Sequence, residues 1–173
     1  MSTDIKLTTA QTARFNDLAR MFGAERWAVE KDACTGDYRG HYDYSVRFHG
    51  VGRLYLGIDR RGMENGTVEA LKTIRHFRAH QEQNSEKITA ILKEEFPAIS
   101  AASVDVIPNE YASSDLCVWA ALRLTVYGVE VPYRETWLHY CLTHEDDGSG
   151  KYDVEKRVRE LVHSIKSRVE QAA

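Results

Sequence analysis

The sequence predicts an α+β protein, with a mostly antiparallel sheet or sheets packed by three helices in the order α-βββ-α-βββ-α. Three observations carry this. From about Gly66 to Phe96, Val68, Leu71, Ile74, Phe77, Ile88, Ile91, Leu92 and Phe96 recur at three- and four-residue steps, the period of one helical stripe. Between residues 41 and 58, apolar and polar residues alternate on either side of a glycine pair, as in a hairpin. The alternating segments also come in groups between the helical ones, which separates this pattern from a parallel α/β chain.

Taken in order, Thr8 and Gln11 form a capping box ahead of a first helix carrying Phe15, Leu18 and Phe22, with Gly23 at its end. Trp27 and Val29 alternate with polar residues before Cys34, and Thr35-Gly36-Asp37 reads as a turn. From His41 to His49, Tyr42, Tyr44, Val46 and Phe48 face one way and Asp43, Ser45, Arg47 and His49 the other. Gly50 and Gly52 suit a hairpin turn, and Leu54, Leu56 and Ile58 then alternate with Arg53 and Tyr55. Asn65 or Thr67 is placed to cap the long helix near 66–96, and Pro97 stops it. Its middle, Gln81 to Ser85, is polar even on the buried side, which predicts a kink or an overhanging second half.

After Pro97, Val104 and Val106 begin a second strand group. Leu116 to Tyr127 alternates like a strand, although Ser114 ahead of Ala120-Ala121-Leu122 offers a helix as the alternative. The β-branched end running into Gly128 favours the strand. Glu135 to Thr143 is expected as a third strand, with Trp137, His139 and Cys141 on one side and Leu138, Tyr140 and Leu142 on the other. A last helix from about Asp153 turns Val154, Val158, Leu161, Ile165 and Val169 inward. The halves share an element order but no residue-level repeat.

At 173 residues the chain is expected to form one domain, 1–173, large enough to bury a core. Apolar residues at 43% and charged residues at 28% are those of a soluble globular protein. A net charge of −3 removes any domain-wide electrostatic argument for nucleic acid and leaves only a local basic patch. No apolar run reaches the roughly 20 residues that span a bilayer, and the first residues lack the apolar core of a signal peptide. Three cysteines, Cys34, Cys117 and Cys141, without paired spacing read as reduced thiols. The expected location is therefore cytoplasmic, with no membrane partner.

One local pattern points to a ligand. In the acidic loop 145–156, Glu145, Asp147 and Ser149 stand at alternating positions, Gly150 follows, and Tyr152 and Asp153 lead into a helix. This resembles the twelve-residue calcium loop of EF-hand proteins, and the resemblance implies a calcium ion held by Glu145, Asp147, Ser149 and Asp153. It departs from that pattern at its first position, where Asp is usual. It departs again at its last, where Lys156 replaces the bidentate Glu and Glu155 falls one residue early. The alternative is an acidic loop whose Asp153 caps the last helix. No other cofactor is expected.

His76 and His80 lie one helical turn apart, a spacing zinc can use, but basic neighbours oppose a cation there. His139, Cys141 and His144 form a second ligand group, of which only the first two share a strand face. Cys34 and His41, with Asp37 between them, would make a nucleophile and base only if they met in space. The phosphate-binding, dinucleotide, zinc-ribbon and nucleophile-elbow motifs are absent.

Arginine and tyrosine concentrate in the 38–55 hairpin, and both anchor protein interfaces and stack on unpaired bases. The alternation leaves Arg47, Arg53 and Tyr55 as its exposed members; Lys72 and Arg75 lie on the outer face of the long helix. The expected function is that of a non-catalytic cytosolic interaction protein, an accessory or inhibitory factor acting through a protein surface. One alternative is a small hydrolase or transferase without a recognisable motif. The other is a nucleic-acid-binding protein using the hairpin and the basic helix face.

Overall fold

The computed structural model describes residues 5–31, 44–57, 59–108, 118–135, 138–144 and 147–172. Across these described residues it is an α+β fold with two three-stranded antiparallel sheets and four helices in the order α1-β1-β2-β3-α2-β4-β5-β6-α3-α4. The chain clusters into two compact units, Met1–Ile74 with Ile107–Val118, and Arg75–Val106 with Trp119–Ala173.

The first unit begins with α1 (Thr9–Phe22). The Thr8 and Gln11 side chains each accept from the other's backbone N–H, and Gly23 closes the helix in the left-handed region at φ 70°. Strands β1 (Trp27–Lys31), β2 (Tyr44–Phe48) and β3 (Gly52–Gly57) lie side by side in that order, with Ala28 opposite Arg47 and Arg47 opposite Arg53. Val46, Phe48, Leu54 and Leu56 are buried on one side of this sheet. Phe22 packs on Phe48 at 5.1 Å and Phe15 on Trp27 at 5.0 Å, so α1 covers that side.

Helix α2 (Arg60–Glu95) runs 36 residues, about 54 Å, through both units. It starts six residues ahead of the expected Gly66, and neither Asn65 nor Thr67 caps it. Asp59 caps it, accepting from the Gly62 N–H at 2.6 Å, while Thr67 sits buried inside the helix and donates its hydroxyl to the Met63 carbonyl. Gly62 and Gly66 do not break the helix; they bring it against β3. A Cβ on Gly66 would overlap the Leu56 carbonyl oxygen, and one on Gly57 would lie 2.6 Å from the Gly62 carbonyl carbon. The buried stripe also departs from the expected one at Val68. Val68 is exposed, and Met63, Thr67, Ala70, Leu71 and Ile74 are buried.

In the second unit α2 continues as helix through Gln81–Ser85 and does not overhang there. The polar residues on its inner side continue the stripe by another chemistry. Gln81 Nε2 donates to the Val104 carbonyl at 2.8 Å, and Ser85 Oγ accepts from the Val104 N–H at 3.3 Å. Thr89 Oγ1 donates to the Ala102 carbonyl and accepts from the Ala102 N–H, at 2.8 and 2.9 Å. These are backbone groups of β4 (Ile99–Pro108), an edge strand in the order β4-β5-β6. The helix thus satisfies a strand edge that would otherwise be open to pairing.

Residues 118–126 are strand, which settles the ambiguity there for β5 (Val118–Val126). β5 turns through Tyr127-Gly128, both at positive φ (50° and 80°), into β6 (Val129–Glu135). The strand expected at 135–143 is corrected: β6 ends at Glu135, and Leu138–Thr143 form the short helix α3. The buried residues there, Leu138, Cys141 and Leu142, are spaced i, i+3 and i+4, a helical face that the alternation concealed. Helix α4 (Val154–Ala172) buries Val154, Val158, Leu161 and Ile165 as expected. No described helix is long and apolar enough to cross a membrane.

Candidate functional site

The side of the first sheet turned away from Val46 and Leu54 carries two cross-strand rows. Ala28, Arg47 and Arg53 form one, and Glu30, Ser45 and Tyr55 the other. Antiparallel register puts residues of one row about 5 Å apart and lets long side chains reach the next row. The two arginines do so, converging on Glu30. Arg47 Nε lies 2.8 Å from Oε1 and its Nη2 3.3 Å from Oε2, a two-pronged grip on one carboxylate. Arg53 reaches across β2 to place Nη2 2.6 Å from Oε2.

Among the described residues, two guanidiniums against one carboxylate leave one positive charge over. Arg47 is half exposed, at 49% of its side chain, and Arg53 keeps 23%. Burial alone would raise the Glu30 pKa, but the Arg47 hydrogen bond and the charges of both arginines outweigh it and hold the carboxyl below its ordinary 4.5. Beneath the cluster, Ser45 is fully buried, and neither its Oγ nor Arg53 Nε has a hydrogen-bond partner. Beside it opens a concavity of about 610 Å³, lined by Arg47, His49, Arg53, Tyr55 and the Gly50-Val51-Gly52 turn.

Arg47, Arg53 and Tyr55 are therefore brought together. Lys72 and Arg75 are exposed on α2 and do not line this concavity, and Arg75 falls in the other compact unit. Glu30 is the residue that sequence reasoning missed. Its place on the polar side of β1 was readable, but the register that sets it between two arginines was not.

In the acidic loop, Glu145 lies outside the described residues. Asp147 Oδ1 accepts from the Ser149 N–H at 2.9 Å, and Ser149 Oγ from the Lys151 N–H at 3.2 Å. Gly148 and Gly150 take positive φ, 76° and 75°. Asp153 caps α4, accepting from the Lys156 N–H at 3.2 Å. Hydrogen bonding from the Ser149 side chain, and next from its N–H, holds the Asp147 carboxyl below its ordinary value.

Next to this loop a cavity of about 460 Å³ is bordered by Cys141, Lys151, Asp153, Lys156, Arg157 and Glu160. Burial pushes the Cys141 thiol above its ordinary value, which keeps it protonated and a poor nucleophile. The His76 and His80 ring centroids lie 4.6 Å apart, tilted by 41°, but His80 Nδ1 is turned onto the His76 carbonyl at 3.0 Å. His144 stacks on Tyr152 at 5.0 Å, and helix α3 removes the strand face that would have paired His139 with Cys141. Cys34, Asp37 and His41 lie outside the described residues. Among the described residues no three His, Cys, Asp or Glu side chains are grouped to hold a metal.

No protein-family model, curated protein or solved structure matches the chain.

Proposed function

We propose that this is a non-catalytic interaction protein whose contact surface is the exposed face of the first sheet, centred on Arg47, Arg53 and Tyr55. The single observation that supports this most is the pair of cross-strand arginines converging on one carboxylate beside an open concavity. Arginine and tyrosine carry a disproportionate share of binding energy at protein interfaces, because they combine planar area with directional hydrogen bonds. Among the described residues, the Arg47–Arg53–Glu30 cluster has a surplus of a single positive charge, whereas a phosphate backbone engages many cations at once. That balance favours a protein partner over a nucleic acid.

The test is affinity capture from lysate of the source organism, with and without nuclease treatment, comparing the wild-type protein with Arg47→Ala/Arg53→Ala. Partners recovered with wild type and lost with the double variant are the expected result. Recovery of the same partners by both proteins would move the surface elsewhere. Partners lost on nuclease treatment would instead support the nucleic-acid reading.

A further inference from the structure

We propose that the Arg47–Arg53 pair is a receptor for carboxylates on an acidic segment of a partner protein, and that Glu30 is its resident ligand in the free protein. The inference rests on the interaction-protein reading and adds the chemistry of what is bound.

Four observations carry it. First, the two arginines are not each paired with an acid of their own, as surface ion pairs commonly are. They share Glu30, whose Oε2 takes a donor from each. Glu30 engages two of the five N–H donors of Arg47 and one of those of Arg53, so the fork can accept further oxygens. Second, the group already held is a planar two-oxygen carboxylate gripped at both oxygens, so the donor spacing is set for a carboxylate.

Third, the network is not closed as a structural one would be. Arg53 Nε and Ser45 Oγ are buried beneath it without partners. Buried polar clusters kept only for stability satisfy their members, because each orphan costs free energy. Fourth, the pair borders the concavity of about 610 Å³, so a chain crossing the Gly50-Val51-Gly52 turn can bring a side chain to the exposed edge of Arg47. The charge left over is positive, which selects an acidic occupant.

Binding would proceed by exchange. An incoming carboxylate takes the outward N–H groups of Arg47 and then competes with Glu30 for the fork. Neutralising Glu30 removes the internal competitor, and shortening either arginine removes the receptor.

Fluorescence anisotropy with a labelled decaglutamate peptide tests this on the full chain. Wild type binds, and Glu30→Gln binds more tightly by about tenfold, the scale of one charge-assisted contact. Arg47→Ala and Arg53→Ala each weaken binding by a similar factor. Arg47→Lys also weakens it, because an ammonium keeps the charge and loses the fork. If Glu30→Gln does not fold, judged by circular dichroism, the Arg47→Lys comparison decides.

No saturable binding of the peptide by wild type or Glu30→Gln overturns the proposal. So does equal affinity of wild type and a folded Glu30→Gln, or tighter binding of a single-stranded oligonucleotide of the same charge. If lysate capture still depends on Arg47 and Arg53 while the peptide fails, the inference falls and the interaction reading stands. If the peptide behaves as expected while capture ignores both arginines, the interaction reading falls instead.

Discussion

Glu30 is one side chain on which two others depend, and its titration should be visible in stability. Its folded pKa lies below the ordinary 4.5, so its contribution is fully present above that value and is lost as pH falls through the lowered one. Below it, Arg47 and Arg53 face each other without a counterion. Melting wild type and Glu30→Gln in parallel from pH 6 to pH 3 should show wild type the more stable at pH 6. The gap should then close as the pH falls below the ordinary 4.5 and through the lowered value. A gap that does not change with pH would mean that the carboxylate's charge contributes nothing there. The same scale bears on the acidic loop. Asp147, Ser149 and Asp153 each give an oxygen to a local N–H, and the Lys156 ammonium lies beside Gly150. A calcium ion would meet that ammonium where an EF-hand loop offers a carboxylate. The expected outcome is no rise in melting temperature up to about 10 mM calcium, the weak end for such loops. A rise abolished by Asp147→Ala would restore the loop as a calcium site.

Helix α2 is the element that both units use, and it meets each sheet by a different device. Against β3 it relies on missing side chains. Gly66→Ala should gain about 1 kcal/mol from helix propensity if the site were open. Here the added methyl meets the Leu56 carbonyl, and overpacking of this kind costs about 1–3 kcal/mol or more. The sign is the readout: urea titration should show the variant less stable, and a stabilised variant would refute the close contact. Against β4 the helix relies on hydrogen bonds. Thr89→Val keeps the shape and removes both bonds to Ala102, leaving a strand N–H and carbonyl without partners. A loss of about 1–3 kcal/mol is expected from the same titration. A loss below about 0.5 kcal/mol would show that water replaces the hydroxyl there.

Across the whole molecule, the chain passes between its two compact units at 74/75, 106/107 and 118/119, so neither unit is a continuous segment. The single-domain proposal then makes a kinetic and equilibrium prediction. Trp27 reports on the first unit and Trp119 on the second. In variants retaining one of these tryptophans, with the others replaced by phenylalanine, the two fluorescence transitions in urea should share one midpoint and one slope. Two separated transitions would define two independently unfolding domains.

Much of this fold was legible because its signals are local. The Thr8–Gln11 box, the Gly50–Gly52 hairpin, the Pro97 stop and the α4 stripe each depend on neighbours within a few residues, where spacing alone fixes geometry. The exposed face of Arg47, Arg53 and Tyr55 followed from period-two alternation in the same way. What the sequence could not decide depended on partners distant along the chain. That the long helix begins ahead of Gly66, with Gly62 and Gly66 against β3, and that the polar Gln81–Ser85 stretch meets the edge of β4 both depend on strands remote in sequence. Glu135 to Thr143 alternated like a strand, and only the burial of Leu138, Cys141 and Leu142 on one side shows the helical period there. Glu30 became part of a site only through the register that sets β1 beside β2, 17 residues away from Arg47. Register is a property of paired strands, and a carboxylate shared by two arginines exists only once the three strands are aligned.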